Sequence, residues 1–228
     1  MNIPRTFLLT LLASLAPVRA DFVIVQQVDG LGQQSGNVTL KLKDGKARAE
    51  LAPQVTHIID GTTGDTITLM HGPKTFMRVP AAQGKALVEQ MQKIQAGGSG
   101  AAPSAKPVAT GQTEGVGQWA AEIFTWSSGA LSARYWVARD FPNYAAVQAA
   151  MDKVQSGGVA GMTKGMLPAT SDFPGMVVKT EIKMKQKTIT SMIASVTEQP
   201  VDAKEFEVPE GYRELPSPEL GTPAPPEK

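Results

Sequence analysis

The chain has 228 residues, with 22 lysines and arginines against 21 aspartates and glutamates, two histidines and no cysteine. So even a balance leaves no electrostatic footprint for nucleic acid or an acidic membrane surface. The lack of cysteine excludes a disulfide framework, thiolate metal sites and thiol catalysis, and two histidines argue against a histidine-rich metal centre.

Met1–Ala20 has the layout of a secretory signal: an early charge at Arg5, an apolar run from Phe7 to Ala16, a break at Pro17 and Val18-Arg19-Ala20 at the cut site. Its apolar core is too short to span a bilayer. Removing it takes away Arg5 and Arg19 and leaves a net charge of −1. The expected mature protein starts at Asp21, is periplasmic or extracellular, and forms one domain over residues 21–214.

From Asp21 to Val79 the pattern is strand-like. Val38, Leu40 and Leu42 alternate with polar residues, Asp44-Gly45 follows, and Ala47, Ala49 and Leu51 resume the alternation. Period two on both sides of an Asp-Gly pair predicts a hairpin. Ile58–Asp60 and Thr66–Met70 flank Gly61–Gly64 as a second hairpin, and His71–Lys74 turns the chain into Thr75–Val79. Past Pro80, Leu87, Val88, Met91 and Ile94 fall at helical spacing and predict a short amphipathic helix. Residues 96–111 are low-complexity Gly, Ala, Ser and Pro, read as a flexible surface insertion.

Gln118–Trp126 and Leu131–Arg139 read as a further hairpin, with Tyr135 on one side and Arg134 and Trp136 on the other. Pro142-Asn143 predicts a helix start with Asn143 as N-cap, and Tyr144, Val147, Met151 and Val154 form its apolar stripe. Met176–Lys185 and Thr188–Thr197 read as two long strands, with Lys179, Glu181, Lys183 and Lys185 as a solvated row. Residues 215–228 carry no core signal and are read as a disordered tail. The sum is an α+β fold: a strongly curved antiparallel sheet packed on two or more short helices.

Several stretches then carry a resemblance. Thr113–Phe124, Arg134–Ala138, Pro174–Lys179 and above all Val201–Tyr212, with its closing Val-Pro-Glu-Gly-Tyr, resemble an uncharacterised family of exported bacterial proteins, a domain of unknown function. That family is similar to the periplasmic lipoprotein-carrier (LolA-like) fold. The resemblance implies an incomplete barrel around helices, with an apolar cavity, and implies no catalytic residues. Relatives often have cysteine where this chain has Ala121, so no thiol function carries over.

The candidate ligand contacts are Met91, Trp126, Trp136, Met151, Met162 and Met166. Thioethers such as those of Met162 and Met166 are soft enough for copper(I), but methionine more commonly fills irregular apolar cavities, and no metal site or cofactor is expected. The same default of core packing applies to Met70, Met77, Met184 and Met192. His57, His71 and the Asp60–Asp65 loop lack the spacing of a triad or a calcium hand. The resulting expectation is a non-enzymatic binding protein holding an apolar, lipid or lipoprotein-like ligand between sheet and helices, with 161–174 as a lid. The alternative is a module that binds another envelope protein.

Overall fold

The computed structural model describes residues 21–30, 35–84, 86, 106–129, 131–155 and 167–217. The meander expected for the first half is present: β1 (Phe22–Asp29), β2 (Gly36–Lys43), β3 (Lys46–Ala52), β4 (Val55–Asp60), β5 (Thr66–Met70) and β6 (Thr75–Val79). Asp44 and Gly45 both take positive φ, 49° and 81°, the geometry a two-residue hairpin turn demands. The second half adds β7 (Val108–Val116), β8 (Trp119–Ser128), β9 (Leu131–Ala138), helix α1 (Tyr144–Gln155), β10 (Met176–Met184), β11 (Lys187–Glu198) and β12 (Arg213–Leu215).

Among the described residues twelve strands form one sheet in the order β12-β6-β5-β4-β3-β2-β1-β11-β10-β9-β8-β7. Every pairing is antiparallel except β12 on β6, and the order is open, with β12 and β7 as its edges. The sheet curls. β3 and β8 are six strands apart, about 29 Å if flat at the usual spacing. Yet α1, twelve residues and therefore about 18 Å long, touches β2 and β3. Phe141, just before it, stacks on Trp119 of β8 with centroids 5.3 Å apart.

The two faces of the sheet are covered differently. On the helix face, Phe22, Ile24, Leu42, Trp119, Trp136 and Val178 pack with Val147 of α1. On the opposite face, Ile58, Ile67, Leu69 and Phe76 are covered by Val201, Phe206 and the partly buried Val208 and Tyr212 of the C-terminal segment. Phe124, Trp126, Tyr135 and Val137 form a second apolar cluster on that face, under Phe173. The C-terminal segment is tied down by charge as well. Asp21 accepts from Val201 N–H at 3.0 Å and Lys43 Nζ at 2.6 Å, and Glu205 pairs with Lys41.

Four expectations need correction. The low-complexity stretch ends earlier than its composition suggests, because residues 108–111 belong to edge strand β7. Asn143 does not cap α1 with its side chain: its carbonyl accepts from Ala146 and Val147, its φ is 54°, and Nδ2 donates to Glu198 at 3.0 Å. The sheet is open, as an incomplete barrel is, but α1 is the one long helix among the described residues where two or more short helices are expected. The helix expected at 87–94 lies outside them, as do residues 1–20, the insertion up to residue 105 and the tail from 218. Met184 ends its strand 38% exposed rather than packed.

Candidate functional site

Three neighbouring strands change character at the same level on the helix face. Along β8 the residues facing α1's side run Trp119, Ala121, Ile123, then Thr125 and Ser127. Along β9 they run Ala138, Trp136, then Arg134 and Ser132. Along β10 they run Met176 and Val178, then Lys179, Glu181 and Lys183. Because side chains alternate across a strand, these residues share one surface whose near end is apolar and whose far end is polar and cationic.

The apolar end holds a slot beneath α1 of about 70 Å³, lined by Tyr144, Gln148 and Met151 from the helix and Met176, Val177 and Ile193 from the sheet. Gln26 and Thr170 give it polar edges. Thr170 Oγ1 donates to Asp152 at 3.2 Å and holds the segment before β10 against the helix, while Phe173 anchors the same segment on the opposite face. Burial, and secondarily the Asp152 carboxylate, pushes the Tyr144 hydroxyl up. Gly175 closes the slot at the start of β10, where the chain passes so near β9 that a Cβ would stand 2.4 Å from the Ala138 carbonyl oxygen.

The far end is a groove of about 360 Å³ crossing β7 to β10, bordered by Lys106, Arg134, Glu181 and Lys183 with Thr125 and Ser132 on its floor. Trp136 marks the boundary between the two ends. It is 2% exposed, its Nε1 donates to Glu114 at 2.7 Å, and Lys179 Nζ and Arg134 Cζ lie 4.1 and 4.9 Å from its ring. Those cation–π contacts fix both side chains at the mouth of the groove.

The expected ligand contacts separate in space. Met151 lines the slot and Trp136 sits at its far boundary, while Met91, Met162 and Met166 lie outside the described residues. Trp126 borders the groove, but its ring belongs to the aromatic cluster on the opposite face, beside Tyr135 and Phe173. Strand parity divides the two tryptophans. Trp126 Nε1 and the Tyr135 hydroxyl are buried there without a hydrogen-bond partner among the described residues, and burial pushes the Tyr135 hydroxyl up to about 12.

Other polar groups have structural roles. His71 bridges Thr56 and Tyr212, and His57 meets Thr68 Oγ1 at 3.0 Å with burial lowering its pKa. Asp60 turns its loop by accepting from Thr62 and Thr63 N–H, at 2.9 and 3.1 Å. Burial works to raise its pKa, but those amides and Lys46 hold it below the usual value. Among the described residues, no three histidine, aspartate or glutamate side chains gather as metal ligands. Nor, among them, is any helix long and apolar enough to cross a membrane.

The family model described as a domain of unknown function (DUF4412) matches residues 27–212. The chain belongs to that family. The matched span of this DUF4412 protein runs from β1 to Tyr212 and contains the groove and all of the slot's lining except Gln26. No curated protein matches the chain. Among solved structures, it is similar to PNGF-II (10% identity over 87% of this chain, TM-score 0.42), spanning 32% of that protein's length. It is also similar to lipoprotein LppX of Mycobacterium tuberculosis (10% identity, 80% of this chain and 88% of that one, TM-score 0.42). A third likeness is to LprF of Mycobacterium bovis (12% identity, 84% and 89%, TM-score 0.36).

Proposed function

We propose that this is an exported, non-catalytic binding protein that takes an apolar or lipid-like group between α1 and the sheet. The observation that carries the reading is the slot itself: an apolar space under a single helix, bordered by the adaptable side chains of Met151 and Met176. Its 70 Å³ is well below the roughly 300 Å³ of a formed small-molecule site. Uptake therefore requires α1 to lift. A twelve-residue helix has little stability of its own, so its seat on the sheet is what holds it down. A ligand that replaces those contacts gains about 0.8 kcal/mol per methylene buried.

The test is native mass spectrometry of the mature protein purified gently from its envelope fraction, followed by solvent extraction. A discrete added mass that extracts as lipid, and is lost in Met151→Trp, supports carriage. A bare protein that takes up no lipid on titration overturns it.

A second reading rests on β7. Among the described residues this edge strand has no neighbouring strand on one side of its backbone, residues 108–115 are exposed, and Val108 is 65% exposed. Such an edge can accept a strand from a partner protein of the envelope. Crosslinks from β7 to one recurrent partner, abolished by Thr113→Pro, would favour this reading.

A further inference from the structure

We infer that the cationic groove beyond Trp136 is an anion site, and that the group held under α1 is the tail of an amphiphile whose head is a phosphate or carboxylate. The second part rests on the carrier reading; the first does not. The groove brings three cationic side chains, Lys106, Arg134 and Lys183, against one carboxylate, Glu181. Glu181 is already shared with Lys183, at 3.4 Å. Neither Lys106 nor Arg134 has a carboxylate within ion-pair distance among the described residues.

Arg134 is also held in place. Its guanidinium rests 4.9 Å from the Trp136 ring, which leaves its donor fork to match two oxygens of a planar or tetrahedral anion. The hydroxyls of Thr125 and Ser132 on the floor make no side-chain hydrogen bond among the described residues and add neutral donors. At about 360 Å³ the groove has the size of a small-molecule site, ample for a head group.

β10 joins the two sites: Met176 lines the slot, Glu181 and Lys183 line the groove, and Val178 and Lys179 lie between them on the same face. Ile123 and Thr125 are successive residues on the same face of β8, as are Trp136 and Arg134 on β9. From Met176 of the slot to Lys183 of the groove, β10 covers roughly 20 Å along that face. An amphiphile lying along it would place its tail toward α1 and its acidic head among Lys106, Arg134 and Lys183. A head group there would displace water from a cationic groove rather than bury a charge in an apolar one, so the site favours acidic heads over neutral ones.

Calorimetric titration of the mature chain tests this with three probes: inorganic phosphate, and dodecyl phosphate and dodecyl maltoside below their micelle concentrations. Dodecyl phosphate is expected to bind at least tenfold more tightly than the maltoside, and Lys106→Gln/Arg134→Gln should erase the difference while leaving maltoside binding unchanged. Both positions are exposed, and unchanged thermal unfolding of the variant confirms that it is folded. Equal binding of the two amphiphiles, insensitive to the double substitution, overturns the anion site and leaves the carrier standing. Binding of inorganic phosphate that the double substitution removes, with neither amphiphile bound, keeps the anion site for a free anion and overturns the carrier. No binding of any probe overturns both.

Discussion

The Tyr212 hydroxyl lies 2.6 Å from His71 Nδ1, and the far nitrogen of the same ring lies 2.8 Å from Thr56 Oγ1. One imidazole thus links the β5–β6 turn, a buried threonine of β4 and the last segment of the fold. In a neutral ring one nitrogen donates and the other accepts, so the tautomer fixes the direction of the whole chain of bonds. Tyr212→Phe removes one partner and is expected to cost about 1 kcal/mol in urea unfolding. His71→Ala in that background should cost less than it does alone, because part of its contribution is already gone.

His57 faces the helix side of β4, where burial lowers its pKa below the ordinary 6.5. The unfolded chain therefore binds a proton that the folded chain refuses. Stability is full above about pH 6.5 and falls as pH drops toward the lowered folded value. Substituting His57→Gln, which can still reach Thr68, should flatten the stability profile between pH 5 and 7. An unchanged slope would mean that His57 titrates alike in both states.

Strands were legible wherever one face is apolar and the other wet. The Asp44-Gly45 hairpin and the β8–β9 pair follow directly from alternation and turn chemistry, and the family was readable in Val201–Tyr212. Edge strand β7 was not, because Ala109, Gly111 and Gly115 carry little side-chain signal and its pairing with β8 includes a register shift between Ala109 and Thr113. The division of Trp126 from Trp136 was implicit in strand parity. The groove was not: Lys106, Arg134 and Lys183 lie on three different strands or their flanks, and only the sheet order β10-β9-β8-β7 brings them together. Taken alone, the Lys179–Lys185 row reads as an ordinary solvated face.

Tyr135 carries a buried hydroxyl with no partner among the described residues. Removing an unsatisfied group relieves its desolvation penalty, so Tyr135→Phe should leave stability unchanged or raise it by up to about 1 kcal/mol. It should also change the alkaline limb. The hydroxyl is raised to about 12 in the fold, whereas an unfolded tyrosine ionises near 10. Stability is therefore full below about pH 10 and declines as pH rises toward 12. Circular dichroism melts across that range should show a shallower decline in the variant. A destabilised Tyr135→Phe would reveal a partner for the hydroxyl.

Gly175 is held where β10 begins, 2.4 Å in Cβ terms from the Ala138 carbonyl oxygen and 2.9 Å from Arg139 Cα. Both obstructing atoms are main-chain, so no side-chain rotation can make room. Gly175→Ala should force β9 and β10 apart and cost about 1–3 kcal/mol, read as a lower urea midpoint. Because Gly175 also borders the slot under α1, the same change should weaken uptake of any apolar ligand held there. Ala138→Gly should not rescue either effect, since it removes a methyl group and leaves the carbonyl in place. A rescued double variant would place the clash in the side chain instead.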